Sequence, residues 1–397
     1  MFLSVLRNSL RIASVVPSLP LLQLILVSLM AHLALAGSRI TTSLYALSLH
    51  SSEFTVGILI ALFSLLPMML AVSAGRLVDR VGIMKPMLGG CLSMTIGCAL
   101  PGFVGGLPVL YLAALFIGTG FMAVQVVSQH TVGAMSVTEK RSTNFSWLAL
   151  GYSISGFCGP VIAGLVIDHA RHGIGYIVFC GFAMAALMLT AYGRLKRIQL
   201  TRHEEKAAGG TALDLFRDIE MRRIYVVGTL LSSAWDLFTF VMPIHGSRLG
   251  FSASTIGLIL GCFSAATFTV RLAMPWISRR FTEWQVLTSA LSLAVLCYVL
   301  FPIMRQPATM MVVAAILGLA VGSSQPNMLA LLHHSAPPGR AGEAVGIRIT
   351  IGNACQVLLP LAFGGAGATL GLSAVFWGMG AMIGAGVPIA WRKALEK

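Results

Sequence analysis

Charge is scarce in this sequence. Only 10% of its 397 residues are charged, and the acidic residues number just 13, whereas soluble domains contain about 25% charged residues. Apolar residues make up 57% of the chain and fall in long continuous runs. This composition excludes a water-soluble enzyme, a disordered chain and a disulfide-stapled secreted domain. Continuous runs also exclude a transmembrane β-barrel, whose strands alternate apolar and polar residues.

The sequence also lacks the short motifs of common catalytic and ATP-binding sites. It contains no P-loop GxxxxGK[ST], no HExxH and no GxSxG. The seven cysteines lie inside apolar runs and form no CxxC pair, so the pattern indicates neither a metal site nor a disulfide framework. We therefore expect no enzyme activity, no metal and no cofactor, and we predict that a proton gradient is the energy source.

Basic residues outnumber acidic ones and give a net charge of +14. A nucleic-acid-binding protein would place this charge along one face. Here the Lys and Arg residues lie between apolar runs, at the ends of predicted helices, which is the pattern that orients helices in a bilayer. The expected partner is therefore the lipid bilayer and not a nucleic acid.

Twelve apolar runs are long enough to cross a membrane, which takes about 20 residues per helix. We therefore predict an all-α polytopic membrane protein of twelve transmembrane helices. The predicted spans are residues 19–46, 54–76, 86–105, 107–133, 144–168, 173–194, 222–247, 254–278, 284–304, 308–333, 341–366 and 370–391.

The distribution of basic residues predicts the orientation. Of the 27 Lys and Arg residues, 21 fall on the side of the membrane that holds both termini. Because cytoplasmic loops are rich in Lys and Arg, both termini are predicted to be cytoplasmic. Residues 1–20 contain Arg7 and Arg11 but no cleavage site of small residues, which indicates a cytoplasmic lead-in rather than a signal peptide. We expect a multi-pass, monomeric protein of a bacterial-type inner membrane.

The longest hydrophilic stretch separates six spans from six. It predicts an N-terminal six-helix bundle over residues 1–195, a cytoplasmic linker over 196–221 and a C-terminal six-helix bundle over 222–397.

The two halves align with each other at an offset of 200 residues. Glycines, prolines and a glutamine keep this register from the second span to the fifth. Two halves of the same topology imply a pseudo-two-fold axis along the membrane normal, which is a transporter architecture. The matched pairs are Gly57 and Gly257, Phe63 and Phe263, Ser64 and Ser264, Arg80 and Arg280, Gly118 and Gly318, Gln125 and Gln325, Pro160 and Pro360, and Gly164 and Gly364.

A GxLxDRxG pattern follows the second span. Gly75 would let helices approach, Asp79 and Arg80 supply opposite charges, and Gly82 suits a tight turn into the third span. The pattern resembles the signature loop of the major facilitator superfamily, which acts as a conformational switch. In the second half its degenerate counterpart is Arg279-Arg280. The resemblance implies two pseudo-symmetric six-helix bundles, with helices 1, 4, 7 and 10 lining a central cavity.

The fifth span is rich in glycine, and it resembles the fifth-helix glycine-proline motif of the superfamily's proton-driven drug exporters. Ser155 stands where that motif often has glycine. Those exporters also carry an arginine in the fourth helix, whereas Ala113–Leu115 has none. Ordinary small-residue packing is the alternative interpretation. The residues that carry the resemblance are Gly156, Gly159, Pro160 and Gly164.

Charged groups within the spans are candidates for proton coupling, because a charge in hydrocarbon is costly unless it is paired or hydrated. Asp236 lies near the middle of the seventh span and Arg39 in the outer part of the first. We predict that these two pair across the cavity, either as the proton-coupling site or as a static ion pair. His32, seven residues before Arg39, could assist proton movement.

Polar and aromatic residues within the spans are candidates for substrate binding, with interhelical packing as the alternative for each. Two further arginines, Arg271 and Arg348, are expected to reach the headgroups by snorkelling. If they face the cavity instead, the surplus of positive charge favours an anionic substrate. The predicted substrate-binding residues are Arg39, Gln125, Gln325, Asn327, Asn353, Trp235 and Phe238.

The sequence therefore predicts a secondary active transporter that works by alternating access. Its predicted activity is proton-coupled export of a small amphipathic or drug-like molecule. Two alternatives stay open at this point, namely a proton-coupled carrier of an organic anion and a non-transporting membrane receptor.

Overall fold

The computed structural model describes residues 19–135, 138–193, 195, 212–337 and 340–396. In these segments the regular structure is helical throughout, and twelve candidate membrane spans are present. Numbered from first to twelfth, the spans are Leu19–Ser48, Glu53–Val81, Met84–Phe103, Leu107–Met135, Thr138–His169, His172–Tyr192, Ile219–Arg248, Ala253–Ile277, Glu283–Leu300, Pro307–Gly322 continued by Ser324–Ser335, Ala341–Leu370, and Leu372–Gly384 continued by Val387–Leu395. The predicted all-α fold and the twelve spans are confirmed.

Two span boundaries differ from prediction because of capping. The seventh span begins at Ile219 instead of 222, since the Asp218 carboxylate accepts hydrogen bonds from the backbone of Glu220 and Met221 at 2.7 and 3.0 Å. A short helix, Ala212–Arg217, precedes it. Most of the proposed linker, residues 196–211, lies outside the described residues, so the domain division stays a prediction.

The second span also continues further than predicted, to Val81. Gly82 ends it with a φ of 77°, a conformation that favours glycine, and its N–H bonds the carbonyl of Val78. Most of the signature pattern therefore occupies the last two turns of a helix and not a loop, and only Gly82 forms the turn.

The helices pack in two matched sets. The second span lies against the eleventh, and the fifth lies against the eighth. A Cβ atom at Gly57 would overlap the carbonyl oxygen of Pro360, and one at Gly257 would overlap that of Pro160. Glycine at both positions therefore permits backbone-to-backbone contact.

The same correspondence holds inside each half. A Cβ at Gly118 would overlap the carbonyl oxygen of Phe63, and one at Gly318 that of Phe263. The glycines that align at an offset of 200 thus make equivalent contacts. The structure accounts for the repeat by close helix packing in two pseudo-symmetric bundles.

The bundle is closed at one end. We call the end where the first span begins and the twelfth ends the termini side, and the other end the far side. On the far side, Asp168 of the fifth span accepts hydrogen bonds from the backbone of Ala253 and Ser254 at 2.8 and 2.7 Å, and Glu53 of the second span pairs with Arg248 of the seventh. Both contacts join one half to the other.

The described glycines of the eleventh span are packed closely near the far side and are uncovered nearer the termini side. Gly364, near the far-side end of the eleventh span, packs against the backbone of Glu53 and Gly57. Gly352 and Gly346, closer to the termini side on the same span, have no atom within 4 Å of the position that a Cβ would take. Among the residues that the structure describes, close packing between the second and eleventh spans is thus found near the far side.

Candidate functional site

The centre of the candidate site is a charge from each half. The first and seventh spans pack together. Asp236 of the seventh span is only 8% exposed, and its carboxylate interacts electrostatically with the guanidinium of Arg39 on the first span. The two groups do not form a direct ion pair within 4.0 Å. The structure thus brings together the two residues that the sequence singled out, across the boundary between the halves.

A third group at this site, Gln356 of the eleventh span, was missed by the sequence analysis. Its amide oxygen accepts a hydrogen bond from Ser64 of the second span at 3.0 Å, and its side chain also interacts with Asp236. A polar chain therefore runs from the second span through Gln356 to the buried carboxylate.

The repeat contained a signal for this residue. An offset of 200 aligns Gln356 with Gly156, and the two do not match. In the equivalent interface Ser264 donates to the backbone carbonyl of Gly156 at 3.0 Å. The serine contact is thus common to both interfaces. Only the interface between the second and eleventh spans has a side chain, that of Gln356, which continues toward an acid.

His32 lies in an aromatic cluster of the N-terminal half. Its Nδ1 is 2.6 Å from the Oγ of Ser155, and its ring lies 5.3 Å from that of Phe121 and 5.1 Å from that of Tyr152. Ser155 departs from glycine in the fifth-span motif, and the structure gives a reason for this departure, because its hydroxyl links the fifth span to the first.

Arg271 does not snorkel, and that expectation was wrong. Its Nη2 donates to the Oε1 of Gln325 on the tenth span at 3.0 Å, and its guanidinium carbon lies 5.8 Å from the centre of the Trp235 ring on the seventh. Three spans of the C-terminal half converge on this cluster. The hydrogen bond and the ring contact hold the arginine among helices instead of at a headgroup.

Arg348 likewise turns toward the interior. Its Nε atom is buried without a hydrogen-bond partner. Arg348 precedes Cys355 by seven residues and so lies on the same face of the eleventh span. Cys355 interacts with Ser233 of the seventh span, which places this face toward the interior of the C-terminal half.

Two of the predicted substrate-binding residues are buried in contacts with other parts of the protein. Phe238 is fully buried between the rings of Phe263 and Phe301, at 4.7 and 5.2 Å. Asn327 is 4% exposed and donates to the carbonyl of Ser323 at 2.7 Å, where the tenth span is interrupted. Both side chains are therefore buried among helices in this structure. Gln125 and Asn353 are half-buried, and their roles stay predictions.

The signature pattern is described in part. The surroundings of Gly75 and the side chain of Asp79 lie outside what the structure describes, and Arg80 is exposed. In the second half, the guanidinium of Arg280 lies 4.8 Å from the centre of the Trp276 ring, beside the exposed Arg279. The switching role of these residues stays a prediction.

The glycines of the fifth span form two contact surfaces. A Cβ at Gly159 would lie 2.9 Å from that of Ala36 on the first span, and one at Gly164 would overlap the backbone of Ala253 on the eighth. Gly156 is looser, with Ser264 Oγ at 3.9 Å. The motif therefore allows one helix to touch both halves closely.

Comparison with known proteins decides the family. Residues 24–360 match the sequence profile of the Major Facilitator Superfamily. The chain belongs to this superfamily. Its sequence is 22% identical to the class B tetracycline resistance protein of Escherichia coli over 77% of each chain. It is also 22% identical to the class H tetracycline resistance protein of Pasteurella multocida, over 77% of this chain and 78% of that protein.

Solved structures of Major Facilitator transporters share the fold. The peptide transporter POT superposes with a TM-score of 0.79 at 14% identity, over 96% of each chain. The nucleoside transporter NupG superposes with a TM-score of 0.76 at 13% identity, over 95% of this chain and all of that one. Membership of the Major Facilitator Superfamily identifies the protein as a membrane transporter rather than an enzyme.

Proposed function

We propose that this Major Facilitator transporter exports a small amphipathic, drug-like molecule in exchange for protons. The two halves would rock about a central site and expose it to one side of the membrane at a time. Support for export comes from the glycine-proline pattern of the fifth span and from the likeness to tetracycline resistance proteins. With both termini in the cytoplasm of a bacterial-type cell, as the basic residues favour, the termini side is the cytoplasmic side.

The position of Asp236 is the observation that carries the proposal. When ionised, this buried carboxylate attracts Arg39 of the other half, and when protonated it loses that attraction. Protonation therefore changes the free energy of contact between the halves. A ligand shifts a conformational equilibrium only through such a difference between states, and here the ligand would be the proton.

The test uses protein reconstituted in liposomes, with tetracycline, ethidium and naphthoate as probes. Wild type should accumulate at least one probe when a pH gradient is imposed. Asp236→Asn should lose accumulation but keep gradient-independent exchange of labelled for unlabelled probe. Glu283→Gln, which removes a carboxylate in the first turn of the ninth span, is the matched control and should behave as wild type. Accumulation by Asp236→Asn, or no response of any probe to the gradient, would contradict the proposal.

A second candidate function is a proton-coupled carrier of organic anions. Its support is the inward placement of Arg271 and Arg348, which together with Arg39 outnumber Asp236 among the described charges within the spans. Arg39→Gln should abolish transport by an anion carrier, whereas an exporter of neutral or cationic compounds should tolerate it better. Comparing naphthoate with ethidium uptake by this variant separates the two functions.

A further inference from the structure

The Arg271 guanidinium is a cation inside the C-terminal half that no acid in the described part of the chain neutralises. Among the described residues no carboxylate lies within 4.0 Å of it. The buried acid of the seventh span, Asp236, interacts instead with Arg39 and Gln356. An arginine within a membrane span is costly unless it is hydrated or paired, so an unneutralised one marks a place where a negative group would be stabilised.

The hydrogen bond to Gln325 makes this place selective for acceptors. Because the Gln325 Oε1 accepts from Arg271, the amide turns its NH₂ donors away from the guanidinium. The guanidinium uses one of its five N–H groups in this bond and keeps the others for a further acceptor. The two side chains thus present donors without a competing acceptor.

An apolar surface adjoins these donors. The Trp235 ring lies beneath Arg271 and packs edge-on against Phe263 at 4.8 Å, which fixes its orientation. Gln325 is exposed, and Arg271 and Trp235 are half-buried, so all three can be reached by a ligand. A ligand with a planar apolar body and one anionic group would satisfy both the ring and the donors.

We propose that Arg271, Gln325 and Trp235 form a subsite that binds the carboxylate of an amphipathic, aromatic substrate. The inference rests on the proposed transport function, because it names the chemical class of the transported molecule. It requires neither proton coupling nor export.

The experiment measures binding to purified full-length protein in lipid nanodiscs by titration calorimetry, without a pH gradient. The probes are naphthoate and naphthamide, which share a ring system and differ in charge. Wild type should bind naphthoate at least about tenfold more tightly, because a hydrogen bond to a charged group is stronger than one to a neutral group. Arg271→Gln should abolish this preference. Arg305→Gln, which removes an exposed arginine from a far-side loop, should keep it.

A second variant separates binding from folding. Gln325→Glu is nearly isosteric and places a carboxylate beside Arg271, so it should occupy the cation and repel naphthoate while leaving the thermal unfolding temperature unchanged or higher. Trp235→Phe should weaken both probes to a similar extent. Equal binding of the two probes to wild type, or an undiminished naphthoate preference in Arg271→Gln, would overturn the subsite. Failure of Asp236-dependent transport would contradict the proposed function and leave this binding result unaffected.

Discussion

The carboxylate of Glu53, in the first turn of the second span, pairs with the guanidinium of Arg248, the last residue of the seventh span. The Glu53 side chain is 8% exposed and that of Arg248 is 54% exposed. A largely buried acid of one half is therefore held by a solvated cation of the other. This contact favours the state that is closed on the far side.

The two partners of this ion pair should respond differently to removal. Arg248→Gln leaves a buried carboxylate without its cation and should loosen the far side by about 1–3 kcal/mol. Glu53→Gln leaves an exposed arginine, which water can solvate, and should cost less. Hydrogen–deuterium exchange at residues 49–57 and 249–257 measures the effect. The amides of the double variant should exchange more slowly than those of Arg248→Gln. If the effects of the two single substitutions on exchange simply add in the double variant, the pair does not couple the halves.

The cap that Asp168 provides to the eighth span is a second far-side contact. Asp168→Ala removes the acceptor of two backbone N–H groups and should cost about 0.5–2 kcal/mol, as loss of a helix cap usually does. Asp168→Asn keeps one acceptor oxygen and should be milder. The unfolding temperature and the exchange of the Ala253 and Ser254 amides report the loss. Equal stability of the alanine variant and wild type would argue against the cap.

Glycines at the interface between the halves should not tolerate a methyl group. Gly57→Ala and Gly257→Ala place a Cβ against the carbonyl oxygens of Pro360 and Pro160, and overpacking of this kind costs about 1–3 kcal/mol. Both variants should lower the unfolding temperature and slow transport. Gly89→Ala meets no atom within 4 Å and should be neutral or stabilising, because alanine favours helix over glycine by about 0.5–1 kcal/mol. The idea fails if all three variants behave alike.

Gln356 should matter more for transport than for stability. Gln356→Leu removes both the bond to Ser64 and the amide beside Asp236, and we expect the maximal rate of proton-driven uptake to fall several-fold. Ser64→Ala removes only the first of these contacts and should have a smaller effect. Ser264→Ala is the matched control, because its equivalent bond ends on the Gly156 backbone and reaches no acid. Initial rates in proteoliposomes distinguish the three, and an equal loss in all of them would assign Gln356 a packing role only.

Hydropathy and the internal repeat predicted the fold more fully than they predicted the candidate site. The spans follow from the length of the apolar runs, and the glycine pairs mark close contact between helices. Both features can therefore be recognised in the amino-acid sequence. Gln356 was missed because its mismatch with Gly156 in the repeat gains a meaning only when Ser64 and Asp236 are seen beside it. Arg271 was assigned to the headgroups for a related reason, since distance from a helix end says nothing about which neighbour a side chain faces.

The amino-acid sequence by itself determined the twelve helices, their pairing into two related halves and the presence of Arg39 and Asp236 within the membrane, because hydrophobic length and charge placement act locally along the chain. Only the tertiary structure decided which end is closed, that Phe238 and Asn327 are buried in packing, and that Arg271 meets Gln325 and Trp235. Those outcomes depend on contacts between helices distant in sequence, whose direction and depth are fixed by packing and not by the order of residues within any one span.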